Sequence, residues 1–383
     1  MMNVRSNDML YHDDSKLFRK MSAMLAKADI QINGNRPWDI QVYSPKVLSK
    51  TAVLGNLGLG EAYMRGQWDV EQLDEFFNRV LQAGLDKEVG SARMWLQDMR
   101  SRFLNLQTVR RAWHVGEAHY DLGNDFYAAM LDPRMTYTCG YWKDTDDLAT
   151  AQEAKLDMIC RKLDLKPGMK VLDIGCGWGS FMGYAAEHYG VICEGVTISK
   201  EQVVWAKERY KDLPLNFLLQ DYRETYGQYD RIVSVGMFEH VGRKNLRTFM
   251  EVAERCLADH GMMLLHTIGK NEAHTAPDPW VDKYIFPNGD LPALTQVSQA
   301  AEGLLVLEDL HNFGSDYDKT LMAWHANFEA AWPQFSDKLG HEFYRMWRYY
   351  LLSCAGAFRA RDIQLWQFVY SKRGVLGGYR RPM

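Results

Sequence analysis

"KVLDIGCGWGS", residues 170–180, is the stretch on which the fold turns. A short apolar run ends at Asp173 and Ile174, and Gly175, Gly177 and Gly179 then carry the chain from strand character into helix character. Glycine lets backbone approach a ligand, and an open helix end favours polar or anionic groups. The spacing is not the GxGxxG of a dinucleotide site, and no GK[ST] follows for a nucleotide phosphate loop. A tight strand-to-helix turn with no ligand is the other reading of such glycines.

On its C-terminal side the pattern stays regular. Apolar runs "VICEGVTIS", "LNFLLQDY", "RIVSVGMFEHV" and "GMMLLHTIG" alternate with helical stretches, and the amphipathic "AQEAKLDMICRKLDL" precedes the glycine turn. Such alternation predicts βαβ units in a mainly parallel sheet covered by helices. "LVLEDLHNF" and "IQLWQFVYSK" are expected to add edge strands.

Towards the N-terminus the pattern is looser. "SKLFRKMSAMLAKADI" places Leu17, Met21, Met24, Leu25 and Ala28 at helical spacing behind Ser15, a plausible N-cap. Glycine-punctuated runs and the helical "EQLDEFFNRVLQAGL" follow, so residues 1–85 read as a small α+β unit with a lipid-binding or accessory role. Residues 86–113 mix Met94, Trp95, Met99, Phe103, Leu104 and Trp113 with arginines that include Arg100, Arg102, Arg110 and Arg111. That interleaving suits a linker at an anionic membrane surface; an ordinary helix packed between domains is the alternative.

Composition bounds the function. The 383 residues are 47% hydrophobic and 25% charged, as in a folded globular protein, with room for two domains. A net charge of -4 argues against a general nucleic-acid binder. Neither a secretory signal pattern nor a membrane-spanning apolar stretch is evident, so a cytoplasmic protein is expected. The six cysteines form no CxxC pair and no zinc spacing; free thiols and no metal site are expected.

"VLDIGCGWG" resembles the first motif of the S-adenosylmethionine-dependent methyltransferases. The resemblance implies a Rossmann-like class I methyltransferase fold in the α/β class, with a mainly parallel seven-stranded sheet and a smaller N-terminal α+β domain. It implies that Asp173, Gly175 and Gly177 lie by the methionine moiety, whose sulfonium and ammonium a carboxylate attracts. The second strand ends in "GVTIS" where the class usually has an acidic residue for the ribose. Thr197 and Gln202 are the neutral candidates, and Gln220, Asp221 and Tyr222 are expected to border the adenine, with Asp221 accepting from its amino group.

Further stretches narrow the resemblance. "HYDLGNDFYAAMLDPRMTYTCGYW" (119–142), "GVTIS", "VGMFEHVG", "LLHTIG" and "WVDKYIFPNG" are similar to the cyclopropane fatty-acyl-phospholipid synthases, densely from about 110 to 383. "LGLGEAYMRGQWD" extends the likeness into the N-terminal unit. The likeness implies a catalytic domain over 114–383 that adds a methylene group from S-adenosylmethionine to the cis double bond of a phospholipid acyl chain. Bound bicarbonate then serves as the general base.

By matching motifs, Cys139, Glu239, His266, Ile268 through its backbone N–H, and Tyr317 hold that anion, while Tyr137 and Thr138 adjoin the cofactor. Cys354 corresponds to a cysteine regarded in the family as an active-site residue, although "LLSCAGAF" also reads as a buried helix. A carbocation next to an alkene favours aromatic walls; Tyr137, Tyr284, Phe286 and Phe313 are candidates, and each also reads as core. His240 reads as structural, and Arg359 and Arg361 serve either the fold or a lipid phosphate. Independently of family, Glu239 and His266 end the fourth and fifth predicted strands, where open α/β sheets bind ligands.

The partners expected are an anionic phospholipid surface at the inner face of the membrane, an unsaturated acyl chain and a second copy of the chain as a homodimer. A methyltransferase acting on a soluble small molecule and a non-catalytic lipid binder are the competing readings.

Overall fold

Ser15 caps the first helix, Lys16–Ala26, by accepting the Phe18 N–H at 3.1 Å, and the helix buries Met21 and Leu25 as its spacing predicts. This comes from a computed structural model that describes residues 10, 15–88, 122–273 and 277–382. Most of the basic aromatic linker, with Arg100, Arg102, Arg110 and Arg111, lies outside the described residues.

The chain divides into two units. The first contains residues 15–88, 277–287 and Trp324–Asp362. It has a two-stranded antiparallel ladder, β1 (Gln41–Val42) with β2 (Trp68–Asp69), and is otherwise helical. The kinked helix Ser336–Arg359 lies against the helices Asn56–Met64 and Leu73–Gln82. Tyr63, Trp68, Phe76, Phe77 and Tyr349 form its aromatic centre, with ring centroids 5.0 to 6.5 Å apart. Gly356 permits this packing: a Cβ there would stand 2.4 Å from the Asp74 carbonyl oxygen.

The expected boundary at residue 85 therefore understates this unit. Two later segments, taken from the stretch expected to be one catalytic domain, complete its core. The apolar faces of Leu73–Gln82 need a partner, and the chain supplies it some 270 residues later.

The second unit carries a seven-stranded sheet: β3 (Lys170–Ile174), β4 (Ile192–Thr197), β5 (Leu215–Leu219), β6 (Tyr229–Val235), β7 (Leu257–Lys270), β8 (Val306–Asn312) and β9 (Ile363–Ser371). The order is β5-β4-β3-β6-β7-β9-β8. The pairs from β5 to β7 are parallel, and β9 runs antiparallel to both its neighbours. The expected mainly parallel seven-stranded sheet is present. Of the two strands expected at edges, β8 is one; β9 is interior, with eight of its nine residues buried. Apolar side chains pointing to both faces are the mark of a strand covered on both sides.

The strand order reverses at β3, with β4 on one side and β6 on the other. A crevice beyond the carboxyl ends of strands at such a reversal is where open α/β sheets bind ligands.

Candidate active site

The glycine turn after β3 is built for backbone approach. Gly175 has φ +87°, and a Cβ on it would lie 2.6 Å from Cβ of Met237 in the segment after β6. Asp173 is 2% exposed; burial pushes its carboxyl up to about 7, with the charge of Lys155 opposing the rise. Thr197 donates from Oγ1 to Gln202 Oε1 at 3.0 Å, which fixes the Gln202 amide so that its Nε2 side faces Gly177. Thr138 accepts from the buried Lys155 Nζ at 2.8 Å, and a Cβ at Gly236 would press on its methyl group. The Tyr137 ring meets Tyr127 edge-on at 5.4 Å.

The residues after β5 divide. Gln220 is half-buried, and its amide lies 3.4 Å from Thr225 Oγ1. Asp221 caps the short helix Tyr222–Glu224 and takes a two-pronged ion pair from Arg223, at 2.8 and 2.6 Å. Its carboxylate is thus largely engaged within its own turn, unlike the free acceptor expected for an adenine amino group. Tyr222 is turned into the core, 5.5 Å from Phe249, with its hydroxyl buried. An aromatic residue at the start of a turn finds more apolar area inward than across a ligand crevice.

The second cluster sits at the ends of β6 and β7. His266 pairs with Val235, the last residue of β6, and β7 runs four residues further. Glu239 is on the short helix Phe238–His240 and is 6% exposed. Its Oε1 accepts the Ile268 N–H at 2.6 Å. The N–H expected to meet an anion directly therefore holds the carboxylate instead. Burial raises Glu239 to about 7, with the hydrogen bond from the Ile268 N–H opposing the rise. Its Oε2 is buried and has no partner among the described residues.

His266 is 1% exposed, and burial, then the charges of Lys155 and Lys162, push it well below the usual imidazole range, so it is neutral. Its Nδ1 lies 3.2 Å from the Gln367 amide nitrogen, and its Nε2 is buried without a partner among the described residues. Phe313 meets the His266 ring edge-on at 5.8 Å.

Cys139 is fully buried, and burial holds its thiol protonated. Thr320 joins its segment to the start of the helix Ser315–Ala331: its Oγ1 accepts from the Gly140 N–H at 3.0 Å and from Trp142 Nε1 at 2.8 Å. Tyr317 is one turn earlier on that helix and 8% exposed. Lys155 is the electrostatic hub: its charge acts on Asp173, Cys139 and His266. Sequence reasoning passed over Lys155, Thr320 and Gln367. A lysine at helical spacing with the apolar residues of "AQEAKLDMICRKL" was the available signal.

Cys354 belongs to the first unit, on the helix Ser336–Arg359, with its thiol pushed up to about 12 by burial. Tyr284 and Phe286 are also in that unit, against Trp280 and Tyr350 respectively. Arg359 there pairs with Asp74 at 2.7 Å, which favours the fold over a lipid phosphate as its role. His240 is half-buried, and its loss of solvation pushes it down to about 4, as in a structural histidine.

Residues 107–368 match the family described as mycolic acid cyclopropane synthetase. The chain belongs to that family. A cyclopropane-fatty-acyl-phospholipid synthase of Escherichia coli K12 is 54% identical over 368 residues, covering 96% of both chains. The solved cyclopropane synthase MmaA2 of Mycobacterium tuberculosis is 31% identical with a TM-score of 0.65, over 70% of this chain and all of that one. A mycolic acid cyclopropane synthase complexed with SAH and CTAB is 35% identical with a TM-score of 0.64, over 68% and 98%.

As a member of the cyclopropane synthase family the chain is an S-adenosylmethionine-dependent enzyme that transfers a methylene unit to unsaturated lipids. The non-catalytic and soluble-substrate readings fall away. The residues present fit the methyl donor: a buried carboxylate beside a glycine turn suits its cationic methionine end, and a pre-oriented amide suits ribose hydroxyls.

Proposed function

We propose that the enzyme acts on the cis double bonds of acyl chains in membrane phospholipids, with bicarbonate as the general base held by Glu239 and His266. One observation carries the proposal. Glu239 Oε2 and His266 Nε2 are both buried and unpartnered among the described residues, close to where β6 ends. Ile268, whose N–H holds Glu239, stands two residues from His266, about 7 Å along the strand. Buried polar atoms seldom go unpaired, so two such orphans call for a polar occupant. A carboxylate asks for a donor and a neutral imidazole N–H for an acceptor; bicarbonate offers a hydroxyl to the first and an anionic oxygen to the second.

When bound, S-adenosylmethionine supplies an electrophilic methyl group, and attack by the alkene leaves a carbocation that closes to the ring on loss of one methyl proton. Asp173 and Gly175 orient the donor's cationic end, Gln202 its ribose, and Phe313 offers an apolar ring beside His266. Glu239 keeps the base in register through its own bond to Ile268. Cys139, a neutral thiol, and Tyr317 form the remaining wall, supporting the anion without competing for the methyl group. Tyr137 and Thr138 contribute to the cofactor side, while Gln220 serves the adenine edge.

No described helix is long and apolar enough to cross a membrane. The enzyme reaches its substrate as a peripheral protein on the cytoplasmic leaflet, held by the basic aromatic stretch 86–113 and strengthened by pairing into a homodimer. Charge reversal at Arg100, Arg102, Arg110 and Arg111 is expected to weaken binding to anionic vesicles; unchanged binding refutes that role. For the reaction, S-adenosylmethionine is incubated with vesicles of unsaturated phospholipid, and acyl-chain mass and alkene content are measured. Gain of one methylene with loss of the alkene is expected. A methylated product that retains its alkene, or no lipid product, overturns the proposal.

A further inference from the structure

Four polar side chains behind the reaction site line up across three strands and one helix. In the ladders, Gln367 on β9 pairs directly with His266 on β7 and with His311 on β8, so the three share one face of the sheet. Lys162, the last residue of the helix Leu148–Lys162, reaches that row with a fully buried side chain. Its Nζ donates to Gln367 Oε1 at 2.8 Å, approaches His311 Nδ1 at 3.0 Å and lies 3.9 Å from Asp309 Oδ2. Arg381 in turn clasps Asp309, with contacts of 2.9 and 3.0 Å from its Nε.

This row has a direction. Burial pushes Lys162 down to about 7 against the opposing charge of Asp309; below that pH it is an ammonium, which has donors and no acceptor, so the Gln367 atom beside it is the carbonyl oxygen. The atom 3.2 Å from His266 Nδ1 is then the amide nitrogen, which donates. A neutral imidazole whose Nδ1 accepts must carry its proton on Nε2. That nitrogen is the one left unpartnered among the described residues.

We propose that Lys162 and Gln367 are positioning residues that lock His266 in its Nε2–H tautomer, so that it presents a donor to the substrate side. The functional part rests on the reading of His266 as an anion holder; the tautomer itself does not. With the opposite tautomer, a lone pair would confront the anionic oxygen and the site would lose one of its donors. The cross-strand alignment explains why a glutamine, a residue able to relay orientation through its two unlike ends, stands at the middle of a largely apolar strand.

Long-range proton–nitrogen correlation spectra of enzyme labelled with nitrogen-15 histidine read the tautomer, with His266 assigned by the signals lost in His266→Gln. The wild-type enzyme is expected to carry the proton on Nε2; a proton on Nδ1 overturns the proposal without any variant at the row. In Gln367→Glu a carboxylate still satisfies Lys162 but accepts from Nδ1–H, so the proton is expected to move to Nδ1. Turnover should fall about 10²-fold in kcat, the usual cost of an oxyanion donor, with affinity for S-adenosylhomocysteine unchanged. An unmoved proton, or a moved proton with wild-type kcat, overturns the proposal. If the proton moves and kcat falls while turnover never depends on bicarbonate, the positioning role stands and the bicarbonate reading fails.

Discussion

Glu239 is a buried acid with one oxygen tied to the Ile268 N–H and the other free to accept, and burial sets its ionisation near 7. Both of its contacts call for the carboxylate, so the active form lies above that pH. In a pH series kcat is expected to rise through about 7 as Glu239 ionises. Asp173 is also pushed to about 7. Its ionisation attracts the cationic donor, so the KM for S-adenosylmethionine should fall over the same range; kcat and KM series at saturating lipid separate the two. Glu239→Gln should lower kcat by about 10²- to 10⁴-fold, the range for a positioned proton-handling group, with donor affinity retained in calorimetry. The "FEHVG" and "LLHTIG" motifs made Glu239 and His266 legible in the sequence. The supporting glutamine was not, because it lies 101 residues from His266 and meets it only through strand register. Ile268 shows the same limit: its N–H was visible as a donor, but its direction depends on how β7 passes the turn after β6.

Among the elements, the glycine turn and β9 carry the most. Gly175 adopts φ +87° with Met237 against it, so Gly175→Ala adds backbone strain to a close approach. A loss of about 1–3 kcal/mol is expected, seen as a lower midpoint in chemical denaturation together with weaker donor binding. β9 is the interior strand that sequence placed at an edge. Phe368, fully buried in the core on that strand, should cost about 3–5 kcal/mol when cut to alanine; an edge strand would lose far less. Parallel strands from β3 to β7 were readable because helical stretches follow the apolar runs at β3, β4 and β6. The insertion of β9 between β7 and β8 was not, since periodicity reports burial and not the neighbour that provides it.

Across the whole molecule, the N-terminal segment is completed by later chain. The helix Ser336–Arg359 buries Tyr349, Leu352 and Phe358 in the unit that also holds Leu73, Phe76 and Phe77. A protein beginning at residue 114 would leave those side chains uncovered. It is expected to bind hydrophobic dye and to aggregate, as read by fluorescence and light scattering, and a well-behaved monomer would show that the two parts fold separately. Motif matching placed both parts in one family but could not reveal that their chain segments interleave, because no local pattern encodes a partner almost 300 residues away. Ring closure by a base held at Glu239 and His266 is tested most directly by turnover in carbon dioxide-free buffer. Cyclopropanation of unsaturated phospholipid vesicles should depend on added bicarbonate in a saturable way, with the response abolished in Glu239→Gln. Full turnover without bicarbonate, or an unaltered response in the variant, would contradict it.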